Sequence, residues 1–315
     1  MNNTENKEYR IARLDAGKLK DLENLYQAVY GHKPVKDYFL KKYNTAYTGA
    51  EYIGYIGYNL QDIPIAFYGV MPCLIEYNHE IILSAQSGDT MTDPRFRYKG
   101  LFVELSKITF ELCKATGIKF IFGFPNQNSY HGAVHKLGWK MTETIDSFTI
   151  SVNTFPLESL SQRFGWTKRI YQLYTKWVLR KYSLKQDGVL NSVIAEGYGG
   201  VYRNDRYLQY KAYNEREVIM IGNAKIWIKI KGGLIIGDLE ISDYDFDRLI
   251  LVVKKIARRL GTLQVSFQVS PGTNLHRLFA ASHNSLPTFP VLFQDFGTTI
   301  PFDKLKFTFA DIDIF

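Results

Sequence analysis

The sequence predicts an α/β protein, a mixed sheet flanked by helices, followed by a second half that partly repeats the first. Three observations carry that prediction. Strand-like runs alternate with single helices instead of being grouped apart from them, which is the α/β pattern. A long amphipathic helix over 101–116 follows three consecutive strands and precedes another. From Asn191 onward a similar order of elements returns with slight sequence identity, which reads as a degenerate structural repeat. The 315 residues suffice for two domains. The expected division is 1–153, a connector at 154–189, and 190–315.

The elements are read from period and punctuation. Residues 9–14 alternate as a short strand, and Asp15 can cap the next helix. Leu19, Leu22, Leu25, Tyr26 and Val29 have helical spacing over 18–30, and 35–43 reads as a second short helix. The period then changes to strands at 52–58, 65–71 and 81–86, turned at Asp62-Ile63-Pro64 and Asn78-His79. In the 101–116 helix Leu101, Leu105, Ile108 and Leu112 share one face, and Gly117 stops it. A strand at 119–124, a short helix at 129–137 closed by Gly138, and a strand at 141–152 complete the first half. The stretch 163–182 is a helix rich in aromatic and basic residues. It reads as a connector between domains, with contact to an anionic membrane surface as the weaker reading. The second half offers a helix at 205–213 and strands at 218–221, 224–230 and 234–241. Next come a long helix at 244–260, a strand at 264–269, a helix at 274–281 and a strand at 290–296.

Composition narrows the function classes. The chain is 46% hydrophobic and 22% charged, ordinary for a folded protein, with 22 Tyr and 21 Phe. Cys73 and Cys113 are too few for a disulfide framework or a zinc cluster and read as buried thiols. The polar N-terminus has no apolar signal region and no run reaches the length of a membrane span, so a cytoplasmic location is expected. The net charge of +8 is spread over scattered Lys and Arg and short pairs such as Lys41-Lys42 and Arg258-Arg259. That ranks a polyanionic small molecule first, a membrane surface second and nucleic acid third.

The chemistry concentrates between Asp89 and Trp139. The run Thr92-Asp93-Pro94-Arg95-Phe96-Arg97-Tyr98-Lys99-Gly100-Leu101-Phe102 follows a strand and opens the long helix. Amide groups converging at a helix N-terminus make an anion cradle, Gly100 lets the backbone approach a phosphate, and Arg97 and Lys99 add charge.

This run resembles the pyrophosphate loop of the GNAT superfamily of N-acetyltransferases, R/Q-x-x-G-x-G/A, at Arg97, Lys99 and Gly100, with Pro94 three residues upstream. Phe102 departs from the final Gly/Ala. The segment 122–130 and the later Lys136-Leu137-Gly138-Trp139 resemble the family's fifth strand, fourth helix and K-L-G-F ending. The resemblance covers about residues 8–152. It implies a mixed sheet splayed between two strands, with acetyl-CoA or another acyl-CoA as co-substrate and its pantetheine arm in the splay. The residues it assigns to the cofactor are Thr92, Arg97, Tyr98, Lys99, Gly100, Leu101, Phe102, Asn126 and Asn128, the two Asn also being suited to helix capping. No such loop occurs in 190–315, which resembles the degenerate half of a tandem member.

Acyl transfer to an amine needs a base, oxyanion stabilisation and an acid for the departing thiolate. The resemblance makes Asp89 the base, with Glu76, Glu80 and Asp93 as weaker candidates and a turn or cap role as the competing reading. Val134 stands where the family commonly has an acid Tyr, so Tyr130, His131 or His135 would replace it. His131 and His135 share a helix face, but without an acidic or Cys partner no metal is expected. The flavour of the motifs suggests an amino-sugar acceptor, phosphorylated or nucleotide-linked, with Tyr52, Tyr55, Tyr58 and Tyr68 available to stack on a sugar or to pack across strands. An aminoacyl or peptide acceptor, or a binding protein that keeps the fold without catalysis, are the competing readings. A homo-oligomer stays open.

Overall fold

The computed structural model describes residues 8–162, 165–211, 216–241 and 245–315. Outside these lie residues 1–7 of the polar N-terminus and Arg163 and Phe164 at the head of the expected 163–182 helix. Tyr213, at the end of the expected 205–213 helix, and Tyr244, at the start of the expected 244–260 helix, also lie outside. Among the described residues no helix is long and apolar enough to cross a membrane. The chain forms two units. One takes in residues up to Ile75, Glu80–Thr142 and Pro290–Phe302; the other takes Glu76–His79, Glu143–Phe289 and Asp303–Phe315.

In the first unit the strands lie in the order Tyr9–Arg13, Ile53–Asn59, Pro64–Tyr77, Glu80–Thr92, Phe120–Gly123 and Ser285–Asp295, the last contributing its residues from Pro290. Tyr9–Arg13 and Ile53–Asn59, and Ile53–Asn59 and Pro64–Tyr77, are antiparallel. Glu80–Thr92 and Phe120–Gly123 are parallel, joined through the helix Leu101–Ala115. Leu292–Asp295 then close on Phe120–Gly123 in antiparallel register. Both faces are covered. Alternation along Pro64–Tyr77 sends Phe67 and Met71 to the helices Leu19–Tyr30 and Tyr38–Tyr43. Tyr68 and Val70 face the other way, toward Leu101, Leu105 and Cys113 of the long helix.

The second unit repeats this pairing. Glu217–Ile221, Ala224–Ile230 and Leu234–Glu240 are antiparallel neighbours. Leu234–Glu240 is parallel to Gln264–Val269 across the helix Phe246–Leu260, and Gln264–Val269 is antiparallel to Lys140–Ser151. Asp245 caps that helix by accepting from the Arg248 amide, and Gly261 ends it in the left-handed region. Within each unit the parallel strand is therefore paired on its other side by a strand remote in sequence. Periodicity locates a strand but carries no information about its partner.

A buried ionic cluster fixes the C-terminal segment within the second unit. Arg203, fully buried, donates to Asp238 at 2.6 Å, to Asp311 at 2.7 Å and to the Thr308 hydroxyl at 2.9 Å. Burial alone would lower the Arg203 guanidinium, but the two carboxylates hold it above its usual range. Thr308 and Asp311 close a capping box around the turn Phe309–Asp311. Further along, Lys211 donates to the Ile312 carbonyl at 2.8 Å and Lys229 to the Ile314 carbonyl at 2.7 Å. The Phe315 ring stands edge-on to Trp227 and lies against Gly237, where a Cβ would fall 2.2 Å from it.

Lys229 carries a testable consequence. Burial, then the nearby Lys231 and Arg216 charges, push its ammonium down to about 8. An unfolded lysine titrates near 10.4. Below pH 8 both states are protonated and the cost of the buried charge is felt in full. Between about 8 and 10.4 the unfolded state binds more protons, so stability rises with pH. Lys229→Met is expected to be more stable than wild type at neutral pH by on the order of 1–2 kcal/mol, with the gap closing as pH approaches 10. Urea denaturation at both pH values checks this, and a gap independent of pH would refute the assignment.

Candidate active site

The first unit's parallel strand pair stays together over a short register only. Ala85 pairs with Ile121 and Gln86 with Phe122, and the pairing stops there. Glu80–Thr92 runs on for six more residues while Phe120–Gly123 ends at once. Asp89, within the parted stretch, has φ of 52°, a backbone kink that non-glycine residues rarely adopt. The sequence expectation ended this strand at Gln86. Ser87, Gly88 and Asp89 break the apolar alternation, which is why the last turn of the strand was hidden.

The loop beyond it has the form that the anion-cradle reading needs. Asp93 accepts from the Arg95 amide and opens the turn Pro94–Phe96. Tyr98 and Gly100 both have left-handed φ, 67° and 77°, and Gly100 is the N-cap of Leu101–Ala115. A glycine cap has no side chain to offer the first helical amides, which leaves those donors for another acceptor. An ideal Cβ at Gly100 meets no atom within 4 Å, so the glycine is there for its backbone conformation and the space beside it is open. Arg97, Tyr98 and Lys99 are exposed around it. Lys99 pairs with Glu8 at 3.0 Å on the surface, an exposed ion pair of the kind that contributes little.

Phe102, the departure from the motif, is accommodated from the helix opposite. Its ring packs edge-on to Tyr68, and a Cβ on Gly132 would approach that ring to 2.7 Å. Gly132 begins a π-helical turn, Gly132–Lys136, that continues the helix Gln127–His131. The bulky ring at 102 and the missing side chain at 132 form one packing unit.

Asp89 has partners that sequence reasoning missed. Lys42 is fully buried, with its ammonium 2.8 Å from the Asp89 carboxylate, and it also donates to the Tyr38 hydroxyl at 3.0 Å. The Tyr43 hydroxyl donates to Asp89 at 3.2 Å. Burial, then the Asp89 charge, raise the Tyr26 phenol, with Lys42 opposing, so Tyr26 shares the neighbourhood of this ion pair. The signal was available. Phe39, Lys42 and Tyr43 lie on one face of Tyr38–Tyr43, and all three are buried, so a lysine was sharing an apolar face. Asp93 is buried, and its carboxylate is held below the usual range, first by the Arg95 hydrogen bond at 2.7 Å, which makes it a weaker base than a free carboxylate.

The remaining predicted residues divide. Thr92 ends its strand half-buried, and Leu101 is buried in the core under the helix. Asn126 spends its Oδ1 on the Asn128 and Ser129 amides, so it caps the helix. Asn128 is exposed beside it. The half-buried Tyr130 donates to the Met141 sulfur at 3.6 Å. The exposed His131 and His135 rings lie 4.6 Å apart, and among the described residues no cluster of three His, Cys, Asp or Glu is placed to hold a metal. Of the four tyrosines, Tyr58 and Tyr68 are buried and pack within the unit, Tyr58 bonded to Asp21 at 2.7 Å, while Tyr52 and Tyr55 are half-buried. Cys113 is a buried thiol pushed up to about 12 by desolvation and is chemically inert.

No family model and no curated protein matches the sequence. Solved structures do. A conserved Enterococcus faecalis protein described as a probable N-acyltransferase superposes with a TM-score of 0.60 at 14% identity, over 92% of this chain and 73% of that one. A GCN5-related N-acetyltransferase from Kribbella flavida gives 0.58 at 12% identity, over 91% and 72%. One from Anabaena variabilis gives 0.55 at 11%, over 91% and 72%. The fold is that of the GCN5-related N-acetyltransferases.

The packing of Phe102 on Gly132 yields a measurable coupling. Gly132→Ala is expected to destabilise by about 1–3 kcal/mol through overpacking. Combined with Phe102→Ala, the two losses should fall short of their sum by at least about 0.5 kcal/mol. Strictly additive losses in a denaturation double-mutant cycle would mean that the two residues do not share the space.

Proposed function

We propose that the first unit is an acyl-CoA-dependent N-acyltransferase acting on a primary amine of a small molecule. One observation carries the reading: the strand pair parts after Gln86 and Phe122 beside a left-handed loop that heads the long helix at Gly100. An acyl-CoA supplies the activated thioester. The open space at Gly100 fits a pyrophosphate, for which the amides of Gly100, Leu101 and Phe102 are donors and Arg97 and Lys99 the charge. Thr92, Tyr98 and Asn128 line the approach in this reading.

Asp89 takes the proton from the attacking amine. Lys42 and the Tyr43 hydroxyl fix its orientation. Tyr130 is the first candidate for the acid role: its hydroxyl donates only to a thioether, a weak acceptor, which leaves it free to turn toward another acceptor. His135 is the second candidate. The acceptor to test first is an amino sugar, with or without a nucleotide, and after it aminoacyl amines.

The second unit belongs to the proposal as a GNAT-like half without a cofactor. Its parallel pair also parts early, after Ile236 and Phe267. Here the chain's own C-terminal segment meets both strands: Ser270 and Phe307 bond through backbone and hydroxyl, and Phe315 covers Gly237.

Calorimetry with acetyl-CoA tests the site. Wild type is expected to bind, and Gly100→Trp to weaken binding at least tenfold, about 1.4 kcal/mol, by straining the loop and filling the cradle. Absence of binding to wild type would sink the enzymatic reading. Once an acceptor is found, Lys42→Met should move the acid limb of the pH–rate profile upward by about a unit or more, because an ammonium beside a carboxylate favours its ionised form. An unmoved limb would remove Asp89 as the base.

A further inference from the structure

The helix Gly165–Leu179 has two apolar faces and only one of them is used. Tyr171, Val178 and Leu179 are buried within the second unit, and the Tyr171 and Tyr174 hydroxyls donate to the Leu260 and Arg259 carbonyls at the end of Phe246–Leu260. On the opposite side Trp166, Ile170, Leu173 and Trp177 succeed one another at spacings of four, three and four. They are 69%, 57%, 65% and 61% exposed. That spacing makes a continuous stripe along the helix. Phe155, at 66%, Leu157 and Leu160 are exposed on the segment just before it, whose helix Leu157–Ser161 packs on this one. Isolated exposed apolar residues are common, but an aligned stripe with a tryptophan near each end is not.

The charge on the helix itself is of one sign. At 100° per residue Arg169 and Lys176 fall along one flank of the stripe; Arg180 and Lys181 follow in the turn just past the helix, and all four are exposed. Arg180 sits over the Trp177 ring at 6.0 Å. From residue 159 to residue 186 the sequence has seven basic residues and no acidic one. Lys and Arg are otherwise scattered along the chain, and this is a stretch where they stand without an acidic neighbour in sequence.

We infer that this face docks on an anionic lipid bilayer surface, with the helix lying in the plane of the interface. Apolar side chains enter the acyl boundary, tryptophans sit at the headgroup level, and the flanking cations meet lipid phosphates. A second copy of the chain is the poorer occupant. A two-fold contact through this stripe would bring two identical basic flanks together, with no carboxylate on the helix to answer them.

Co-sedimentation of the full chain with vesicles of phosphatidylcholine and phosphatidylglycerol in equal parts tests the inference. Pure phosphatidylcholine vesicles serve as the comparison. The expected result is binding to the anionic vesicles at low salt that is at least tenfold stronger than to the neutral ones and falls steeply toward high salt. Trp166→Ser with Trp177→Ser, and separately Arg169→Glu with Arg180→Glu, should each lower that binding at least tenfold. Because all four residues are exposed, circular dichroism and melting should be unchanged, which keeps misfolding apart from lost docking. Equal binding to neutral vesicles, no binding, or binding indifferent to both variants would overturn it. So would a dimer in sedimentation velocity that the tryptophan variant dissociates in the absence of lipid.

Discussion

A strand that outruns its partner leaves backbone donors and acceptors that something else must satisfy, and both units are organised around that requirement. In the first, Glu80–Thr92 keeps its parallel neighbour for two residue pairs and then continues past it. The kink at Asp89 turns the carboxylate out of the regular alternation, where the buried Lys42 and the Tyr43 hydroxyl meet it. The loop then returns through Tyr98 and Gly100 to present the start of the long helix. In the second unit the requirement is met from within the chain. The segment that includes Phe307–Phe315 bonds to Ser270 and lies along Leu234–Glu240, pinned by Arg203 between Asp238 and Asp311. Breaking one arm of a fully buried cluster leaves an uncompensated charge, so loss of either carboxylate strongly destabilises the placement of this segment.

Phe102 shows how a motif can drift without losing its geometry. The family pattern has a small residue at this place in the helix's first turn. Here the ring is directed toward Tyr68 and the gap at Gly132, not across the helix end. The amides belong to the backbone and do not depend on which side chain sits there, provided it finds space elsewhere. A departure that counts heavily in a pattern comparison therefore costs the cradle little, while transferring a constraint to a glycine thirty residues away.

Much of the local structure was legible because it depends on period alone. The helix expected at 101–116 is Leu101–Ala115, and the strand expected at 264–269 is Gln264–Val269. Strand ends were less legible where polar residues and positive φ interrupt alternation, as at Ser87–Asp89. Partnership was not legible at all: nothing in Pro290–Asp295 marks it as the neighbour of Phe120–Gly123. The same holds for the site. Arg97, Lys99 and Gly100 are contiguous and could be read from a motif, whereas Lys42 reaches Asp89 from 47 positions away and becomes visible only in three dimensions.

The location of the charge changes what the composition means. A net charge of +8 invites the thought of a phosphorylated acceptor, yet seven of the basic residues fall in one stretch of the second unit that carries no acid. The rest of the chain is close to neutral. The excess of basic residues along the sequence therefore falls on and around the Gly165–Leu179 helix, where it coincides with the exposed tryptophans, and attraction from such exposed charges fades within about 8 Å at physiological salt. At the loop of the first unit, recognition must rest on local donors, namely helix amides, Arg97 and a Lys99 released from Glu8. Such donors select a phosphate by geometry and contribute little at long range. Whole-chain charge is then evidence about a surface on the second unit, and the acceptor's own charge has to be read from the neighbourhood of Asp89 and Lys42 instead.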